Sequence, residues 1–524
     1  MQSLIHHYLR DSAQRQPDKE ALVHGDVRFT YREMRRLCSG LAQGLRGIGL
    51  KRGDRVGIWL APSTDQAISI FAVSQSGGAF VPINHLLFPD QVLHIANDCR
   101  MSCLITSRSK LALMGPRLRE TPFLESLVVL SDGGPTTEAS LPLYDLHALC
   151  ALPTLSDRED WGIERDLAAI LYTSGSTGRP KGVMLNHAQI MAGSSIVSEY
   201  LKINGADRIL LLLPLSFDAG LNQLMTAMQQ SATLVIKTFV YTQEIVKTLL
   251  DEKITGVAGV PTLWTLLSQP NSTLCKHQFP CLRYITNTGG AMPQTVLAVL
   301  RQALPGTEIF LMYGLTEAFR STYLPPEELN KRPTSMGKAI PNTEILVVNE
   351  EGKPCGPDEV GELVHRGPTV SMGYWGDPEL TAKVLRPHPF LPTELKDAER
   401  VCYSGDLVKT DEEGFLYFVG RADAMIKSSG FRISPTEVEE VLYRTEELQG
   451  AAVIGVPDDV LGQVVKAYVV RKQGSKAEAS DLIAFCSKHL PRHMVPRLIE
   501  FIDELPKTTS GKVDYPALRR TSLS

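Results

Sequence analysis

Short apolar runs alternate with amphipathic patterns along the N-terminal half of the chain. The stretch FTYREMRRLCSGLAQGLRGIGL carries apolar residues at helical spacing and ends in glycines, and DRVGIWL follows with the composition of a buried strand. Helix and then strand patterns return in ISIFAVSQSGGAFVPIN, EIVKTLLDEKITGVAGV and TVLAVLRQALPGTEIFLMYG. Strands that alternate with helices predict βαβ units and largely parallel sheets.

The pattern changes beyond about Gly352. The segments GELVHRGPTVSMGYWGD and EEGFLYFVGRADAMIKSSGFRIS are typical of short β segments joined by turns. From Pro435 onward the order is helix, strand, strand, helix, in PTEVEEVLYRT, AAVIGV, KAYVVRK and ASDLIAFCSKHL. We therefore predict a large N-terminal domain, residues 1–420, and a small α+β domain, residues 421–524, with the boundary in GRAD.

Composition is that of an ordinary globular protein and excludes few function classes. The 524 residues are 43% hydrophobic and 21% charged, with a net charge of −4. This balance gives no reason to expect nucleic acid or an anionic membrane as the main partner. No apolar run approaches the roughly 18 residues that a membrane-spanning helix needs.

Targeting signals and cysteine usage both favour the cytoplasm. The start, MQSLIHHYLRDSAQRQPDKE, is too polar for a signal peptide and predicts an amphipathic helix that ends before Pro17. The end, RRTSLS, is not a peroxisomal address. Nine dispersed cysteines, without zinc-site spacing, indicate reduced and mostly buried thiols.

A loop of glycines and small hydroxyls follows the apolar run LAAILYT and ends in Pro-Lys-Gly. Glycines let backbone N–H groups approach phosphate oxygens, and Lys181 adds one positive charge. Its spacing fails the Walker pattern, because Gly182 stands where that motif has a hydroxyl. A mobile linker is the alternative for such a loop alone, but its place at a strand end favours a ligand site.

The segment YTSGSTGRPKG resembles the signature of the adenylate-forming ligases, the superfamily of acyl-CoA synthetases, luciferases and nonribosomal adenylation domains. Further motifs follow in the family's order and span essentially the whole chain: GGAMP, YGLTEA, YSGDL, GRADAMIKSSGFRISPTEVE and TSGKVD. The resemblance implies an α/β fold with a large domain of parallel-rich sheets, a β-barrel-like subdomain and a small mobile C-terminal domain. It also implies a reaction in which ATP activates a carboxylate as an acyl-adenylate, and a thiol then displaces AMP.

The resemblance assigns ATP-binding and catalytic roles to several positions. The β- and γ-phosphates would be held by Thr173, Ser174, Gly175, Ser176, Thr177, Gly178 and Lys181. Thr316 and Glu317 match contacts to the α-phosphate and Mg²⁺, and a carboxylate oxygen suits that hard cation. A lone Thr-Glu pair would otherwise be a solvated turn.

The adenosine part of the nucleotide has its own set of matching positions. Gly289, Gly290 and Ala291 match the segment that lines adenine, and Tyr313 would stack on its other side, although without the motif it would be a core aromatic. Asp406 matches the acceptor for both ribose hydroxyls, a task that suits a carboxylate. Arg421 matches a second ribose or phosphate contact.

Three positions of the small domain match the parts that the family uses to switch between its half-reactions. Lys512 matches a catalytic lysine that bridges the substrate carboxylate and the α-phosphate during adenylation. Asp423 falls on the family's hinge, and Gly430 on the loop beside the channel for the phosphopantetheine thiol. Rotation about the hinge would let one small domain serve both steps.

The substrate clue is Phe217-Asp218 in LLPLSFDAGLNQL, which looks like the pair that amino-acid-activating domains use to bind the substrate ammonium. A buried carboxylate needs a cationic partner, which an amino acid would supply; an Asp satisfied by local backbone is the alternative. Matching pocket positions include Asn222, Thr288 and Met312, with Arg320 as a departure.

The favoured hypothesis is a stand-alone ligase that loads an amino acid, proline above all, onto the phosphopantetheine of a separate carrier protein. An acyl-CoA ligase for a non-amino acid is the alternative within the class. A luciferase-like oxygenase and a silent ATP-binding protein are kept as other classes. Retention of Lys181, Glu317, Asp406 and Lys512 argues against the silent protein.

Overall fold

A computed structural model describes residues 2–135, 141–155, 161–174, 180–395, 399–422, 424–428, 431–458, 461–508 and 511–523. The α-helices are α1 His6–Arg15, α2 Tyr31–Gly47, α3 Thr64–Ser76, α4 Pro89–Asp98, α5 Arg108–Met114, α6 Leu146–Cys150, α7 His187–Tyr200, α8 Asp218–Gln230, α9 Thr242–Asp251, α10 Pro261–Leu267, α11 Gln294–Ala303, α12 Pro378–Val384, α13 Pro435–Tyr443, α14 Ala479–His489 and α15 Tyr515–Leu523.

The strands group into four sheets. Their bounds are β1 Glu20–His24, β2 Val27–Thr30, β3 Arg55–Trp59, β4 Ala79–Pro82, β5 Cys103–Ser107, β6 Ser126–Leu130, β7 Leu143–Asp145, β8 Leu167–Ser174, β9 Pro180–Asn186, β10 Arg208–Leu211, β11 Thr233–Ile236, β12 Gly256–Gly259, β13 Tyr284–Asn287, β14 Glu308–Tyr313, β15 Thr322–Leu324, β16 Lys338–Ala339, β17 Glu344–Val348, β18 Gly361–Arg366, β19 Gly373–Tyr374, β20 Leu385–Pro387, β21 Arg400–Thr410, β22 Leu416–Arg421, β23 Ile426–Ser428, β24 Phe431–Ile433, β25 Leu448–Asp458, β26 Gly462–Arg471 and β27 Leu498–Phe501.

Two large sheets form the frame of the N-terminal part. One has the order β16-β15-β14-β13-β12-β10-β11-β1-β2, and the other has the order β19-β9-β8-β4-β3-β5-β6-β7. Their central strands are parallel, and antiparallel strands lie at the edges. A continuous core joins helices α1, α2, α3, α7 and α8 to both sheets. The predicted α/β fold with parallel-rich sheets is confirmed.

The third and fourth sheets form the C-terminal part. β17, β18, β21, β20 and β22 make an antiparallel sheet, which is the β-rich subdomain. β24, β23, β26, β25 and β27 make the sheet of the small unit, with α13 and α14 packed on it. The chain passes from the third sheet to the fourth between Arg421 and Ile426, and the domain boundary in GRAD stays a prediction.

The helix and strand predictions for the individual segments are also confirmed. The N-terminal helix α1 ends at Arg15, before Pro17, and α2 begins where Thr30 and Glu33 form a capping box. The helix–strand–strand–helix order from Pro435 appears as α13, β25, β26 and α14. Within the described ranges, no helix has the length and apolar character needed to cross a bilayer.

Candidate active site

Four neighbouring parallel strands of the first sheet end at one edge. The loop after β10 leads to Asp218, and the loop after β12 leads to Pro261. The loop after β13 carries Gly289, and the loop after β14 carries Glu317. Because the carboxyl ends of parallel strands meet at one edge, these four loops line a common crevice, the usual ligand position in open α/β sheets.

Tyr313 at the end of β14 meets a carboxylate from the third sheet. Its hydroxyl donates a hydrogen bond to Asp406 Oδ2, and Arg421 Nη1 lies 3.2 Å from Asp406 Oδ1. Asp406 and Arg421 are partners in the β21–β22 register. Asp406 is only 5% exposed, so a guanidinium and a phenol compensate a buried charge. Burial, and then the neighbouring carboxylate, raise the pKa of Tyr313, which keeps this hydroxyl a donor.

Glu317, in the loop that follows β14, is held by β19 and the residues before it. The Tyr374 hydroxyl donates to Glu317 Oε1 at 2.5 Å, and the Ser371 amide donates to the Glu317 carbonyl at 2.8 Å. Burial, followed by the Glu317 charge, raises the pKa of Tyr374 above its ordinary value. Tyr374 therefore fixes the position of a carboxylate that still offers further acceptor capacity.

Lys512 of the small unit reaches the loop after β13. A Cβ atom added at Gly289 would lie 3.1 Å from Lys512 Cε and 3.6 Å from its Nζ. Gly289 has φ +78°, so the loop adopts a conformation that other residues rarely take. The small unit thus contributes a cation to the crevice of the first sheet, from a distant position in the chain.

The glycine-hydroxyl loop connects β8 and β9, which form an antiparallel hairpin in which Thr173 faces Lys181. Lys181 borders an open cavity of about 570 Å³, together with His94, Asp98, Tyr374, Trp375 and Asp377. Tyr374 both borders this cavity and bonds Glu317, so the hairpin lies beside the Glu317 end of the crevice.

A second and narrower cavity lies between helices α7 and α8 and strands β12, β13 and β14. Asn222, Thr288 and Met312 all line it, and so does Arg320. Phe217 and Asp218 begin α8 outside this lining. We call this space the acyl pocket, after the role proposed for it below.

Asp218 pairs with Arg320. Arg320 Nη1 lies 3.3 Å from Asp218 Oδ2, and the two side chains are 4% and 20% exposed, in that order. The chain therefore supplies the cationic partner that the sequence analysis expected from an amino-acid substrate.

Comparison with known proteins identifies the family to which the chain belongs. A model described as "AMP-binding enzyme" matches residues 9–375, and a model described as "AMP-binding enzyme C-terminal domain" matches residues 437–512. The chain belongs to the AMP-binding enzyme family. It is an AMP-forming acid–thiol ligase, as the motifs predicted.

Several relatives match the ligase over nearly its whole length. It is 31% identical to "Long-chain-fatty-acid--CoA ligase" of Bacillus subtilis, over 98% of this chain and 93% of that protein. It is 29% identical to "Tyrocidine synthase 1" of Brevibacillus parabrevis, over 99% of this chain but only 45% of that longer protein. The structure of ATP-bound MatB from Rhodopseudomonas palustris superposes with a TM-score of 0.89 at 25% identity, over 99% of both chains.

Some predicted site residues of the ligase lie outside these clusters. Ala291 is exposed and Thr316 half-buried. Gly290 accepts a hydrogen bond on its carbonyl from Asn287 Nδ2 at 2.8 Å. Ser174 is described by its backbone alone. The predicted positions outside the described residues are Gly175, Ser176, Thr177, Gly178, Asp423 and Gly430.

Two residues that are prominent in the geometry of the ligase were not predicted from the sequence. Tyr374 belongs to a segment that was interpreted only as β structure, and nothing in its spacing points to Glu317. Gln223 also lines the acyl pocket. Gln223 could have been predicted, because α8 carries Asn222 and Gln223 within a largely apolar, buried stretch. Buried polar residues on a helix require hydrogen-bond partners.

Proposed function

We propose that this ligase activates a non-amino carboxylic acid with Mg²⁺ and ATP and transfers the acyl group to the thiol of coenzyme A. The observation that carries the proposal is the Arg320–Asp218 ion pair. With Asp218 already compensated, a substrate ammonium would place a second cation beside a buried guanidinium, which is unfavourable. The end-to-end similarity to a fatty-acid–CoA ligase supports the same choice.

The residues at the nucleotide end fit the chemistry of ATP. Asp406 has acceptor oxygens beside Tyr313, where a ribose diol would donate. Gly289 leaves out a side chain beside Lys512, where a nucleotide needs room. These residues, with Thr173, Lys181, Gly290 and Arg421, would hold the nucleotide, and the loop from Ser174 to Gly178 would contact its phosphates.

Glu317 would hold Mg²⁺ together with phosphate oxygens and water, as this cation prefers few protein ligands. Bound there, the metal neutralises charge that develops on the phosphates. Tyr374 occupies one oxygen of Glu317 and orients the carboxylate. The orientation of this carboxylate is thus fixed by its own neighbours, and the protein's task is chiefly positioning.

Lys512 would act at the reacting centre in the first half-reaction. A carboxylate oxygen attacks the α-phosphorus, the bond to the bridging oxygen of pyrophosphate breaks, and pyrophosphate leaves. The Lys512 ammonium would bring the two anions together, and Thr316 would contact the α-phosphate. In the second half-reaction a thiolate attacks the acyl carbonyl and AMP leaves with both bonding electrons.

The small domain, residues 421–524, would rotate about Asp423 between these steps. Rotation would withdraw Lys512 and bring Gly430 beside the thiol channel. CoA and ATP are both available in the cytoplasm, where we place the enzyme.

Product analysis with purified ligase tests the proposal. Pyrophosphate release is measured with a panel of simple, aromatic and fatty acids and the twenty amino acids, each with CoA. We expect acyl-CoA and AMP in equal amounts with a non-amino acid. The proposal would be contradicted if AMP formed only with amino acids, or if no acid gave AMP.

Amino-acid loading remains a second candidate, supported by Phe217-Asp218 and by the match to tyrocidine synthase 1. In this version Asp218 would exchange Arg320 for the ammonium of proline or another amino acid, and the acceptor would be the phosphopantetheine of a separate carrier protein. Proline-dependent pyrophosphate exchange that is lost in Asp218→Ala would favour this candidate.

A further inference from the structure

We propose that the acyl pocket selects carboxylic acids that carry an uncharged oxygen, a hydroxyl or carbonyl group, on the acyl part. The inference rests on the proposed function and narrows its substrate class. It follows from polar groups that line the pocket and find no partner among the residues that the structure describes.

Among the described residues, two buried donors and one buried acceptor in the pocket wall find no hydrogen-bond partner. Arg320 is 4% exposed and Asn222 is 2% exposed, yet neither Arg320 Nε nor Asn222 Nδ2 has a partner within the described ranges. Gln223 Oε1 is in the same condition, while its Nε2 donates to the Leu210 carbonyl at 3.1 Å. A buried polar group without a partner costs free energy, so three around one cavity indicate a ligand that completes them.

The backbone around Arg320 is held in place by its neighbours. The preceding residue, Phe319, is fully buried at φ +52°, a strained conformation for a bulky residue. His365 bonds Ser321 Oγ at 3.0 Å and Thr369 Oγ1 at 3.1 Å, and this threonine donates to the Arg320 carbonyl at 3.4 Å. Strain that the surroundings enforce is typical of residues fixed for binding.

Charge selects among the groups that could fill these bonds. The Arg320–Asp218 pair is neutral as a unit. An added carboxylate or ammonium would meet an ion pair whose charges already cancel, so either would leave an uncompensated charge in the buried pocket. A hydroxyl accepts from Asn222 or Arg320 and donates to Gln223, and a carbonyl accepts from both donors, without any added charge.

Most of the remaining pocket wall is apolar, and threonines and Tyr284 complete it. Ala219, Ala258 and Met312 line it, and Leu201 and Ile209 close it. The acid would therefore carry a hydrocarbon skeleton with one polar oxygen.

Two matched sets of acids test this inference on the wild-type ligase. One set is butanoate, 4-hydroxybutanoate, succinate and 4-aminobutanoate; the other is benzoate, 3-hydroxybenzoate, 3-formylbenzoate and benzene-1,3-dicarboxylate. Within the set that turns over faster, we expect kcat/KM of a hydroxyl or carbonyl member to exceed that of the hydrocarbon by at least about 10-fold, because a site built for a hydroxyl rejects the analogue without one. The charged members should be the poorest.

The outcomes separate this inference from the proposed function. A hydrocarbon acid that turns over as fast as its oxygenated partner, or a charged member that is best, would overturn the inference while acyl-CoA formation still upholds the ligase. AMP formation with amino acids alone would overturn both.

Pocket variants sharpen the test. Asn222→Leu keeps the side-chain size and removes one donor, so the ratio of kcat/KM for oxygenated and hydrocarbon acids should fall by about 10-fold or more, with KM for ATP unchanged. Thr226→Val is the matched control, because Thr226 also lines the pocket but already donates to the Gln223 carbonyl at 3.1 Å, and its ratio should stay near wild type. An unchanged ratio in Asn222→Leu would contradict the assignment, and the wild-type panel decides should that variant fail to fold.

Discussion

The two ends of the crevice, proposed to hold the nucleotide and the acyl group, are built in different ways. The nucleotide end is assembled from separate sheets: Gly289 and Tyr313 from the first, Asp406 from the third and Lys512 from the small unit. The acyl pocket lies between the first sheet and two helices of the same part of the chain, α7 and α8. Because the small unit and the N-terminal part both contribute to the nucleotide end, movement of the small unit would open it. The acyl pocket is formed by the N-terminal part alone and would keep its shape.

This difference in construction separates the chemical step from the selection of the acid. If Lys512 moves with the small unit, the chemical step depends on the relative position of two bodies. The acyl pocket, with its strained Phe319 and its buried Arg320, would discriminate acids in the same way throughout the cycle. Perturbing one end and measuring both therefore tests the separation.

The largest effect is expected from Lys512→Ala. Removing the ammonium that faces the reacting anions should lower AMP formation by about 100- to 1000-fold, as loss of a charge-stabilising group does elsewhere. Thiolysis of a supplied acyl-adenylate should stay within a few-fold of wild type. Lys507→Ala is the control, since Lys507 is in the same hairpin but pairs with Glu504 at 2.7 Å on the surface. Equal loss in both half-reactions would contradict the two-body description.

Gly289→Ala should have the next largest effect at the nucleotide end. The new methyl group would lie 3.1 Å from Lys512 Cε, and a residue with a side chain is strained at φ +78°. We expect kcat for adenylation to fall about 10- to 100-fold with the preference among acids unchanged. Gly356→Ala serves as control, because nothing lies within 4 Å of the added Cβ atom. A changed preference among acids in Gly289→Ala would show that the two ends are coupled.

The same contrast explains what could be predicted from the sequence. The proposed nucleotide-binding positions could be named from the sequence because they occupy short motifs at strand ends, such as Tyr313 to Glu317 at the end of β14. At the acyl end, the sequence indicated candidate positions but not the contacts between them. Asp218 suggested a missing cation, but its partner Arg320 is 102 residues away, and only the order of the strands brings them together. The role of Tyr374 could not be predicted for the same reason. Its hydroxyl bonds Glu317 across the fold, and a phenol that orients a carboxylate belongs to no short sequence motif.

Gly193→Ala should affect the acyl end alone and by less. Gly193 lies in α7, and an added Cβ atom would lie 2.4 Å from the Phe319 ring, so Phe319 must shift and Arg320 with it. We expect KM for the acid to rise by about 10-fold, KM for ATP to stay constant, and the melting temperature to fall as in other overpacked cores. Gly47→Ala, in α2 with no atom within 4 Å, is the matched helical control. A parallel rise in KM for ATP would contradict the separation of the ends.

The smallest effect is expected at Glu439, which anchors the segment that carries Lys512, and it is a change in the pH dependence of stability. Glu439 in α13 is buried, and its Oε1 accepts from Tyr515 at 2.8 Å and from the Val453 amide at 2.7 Å. Burial raises the pKa of this carboxyl to about 7, so the folded state holds a proton that the unfolded state releases near pH 4.5. The stabilising contribution is therefore complete below that pH and is lost as the pH rises through 7.

In Glu439→Gln the amide oxygen can accept both bonds at every pH, so this pH dependence should disappear. Between pH 5 and pH 8 the wild type should lose up to about 3 kcal/mol of opening free energy relative to the variant. Hydrogen exchange of the β25 and β26 amides reports this quantity for the small unit. Glu437→Gln, an exposed neighbour in the same helix, should follow the wild-type curve. KM for the acid should not differ between Glu439→Gln and wild type at either pH, because Tyr515 anchors the tail and the acyl pocket belongs to the other body.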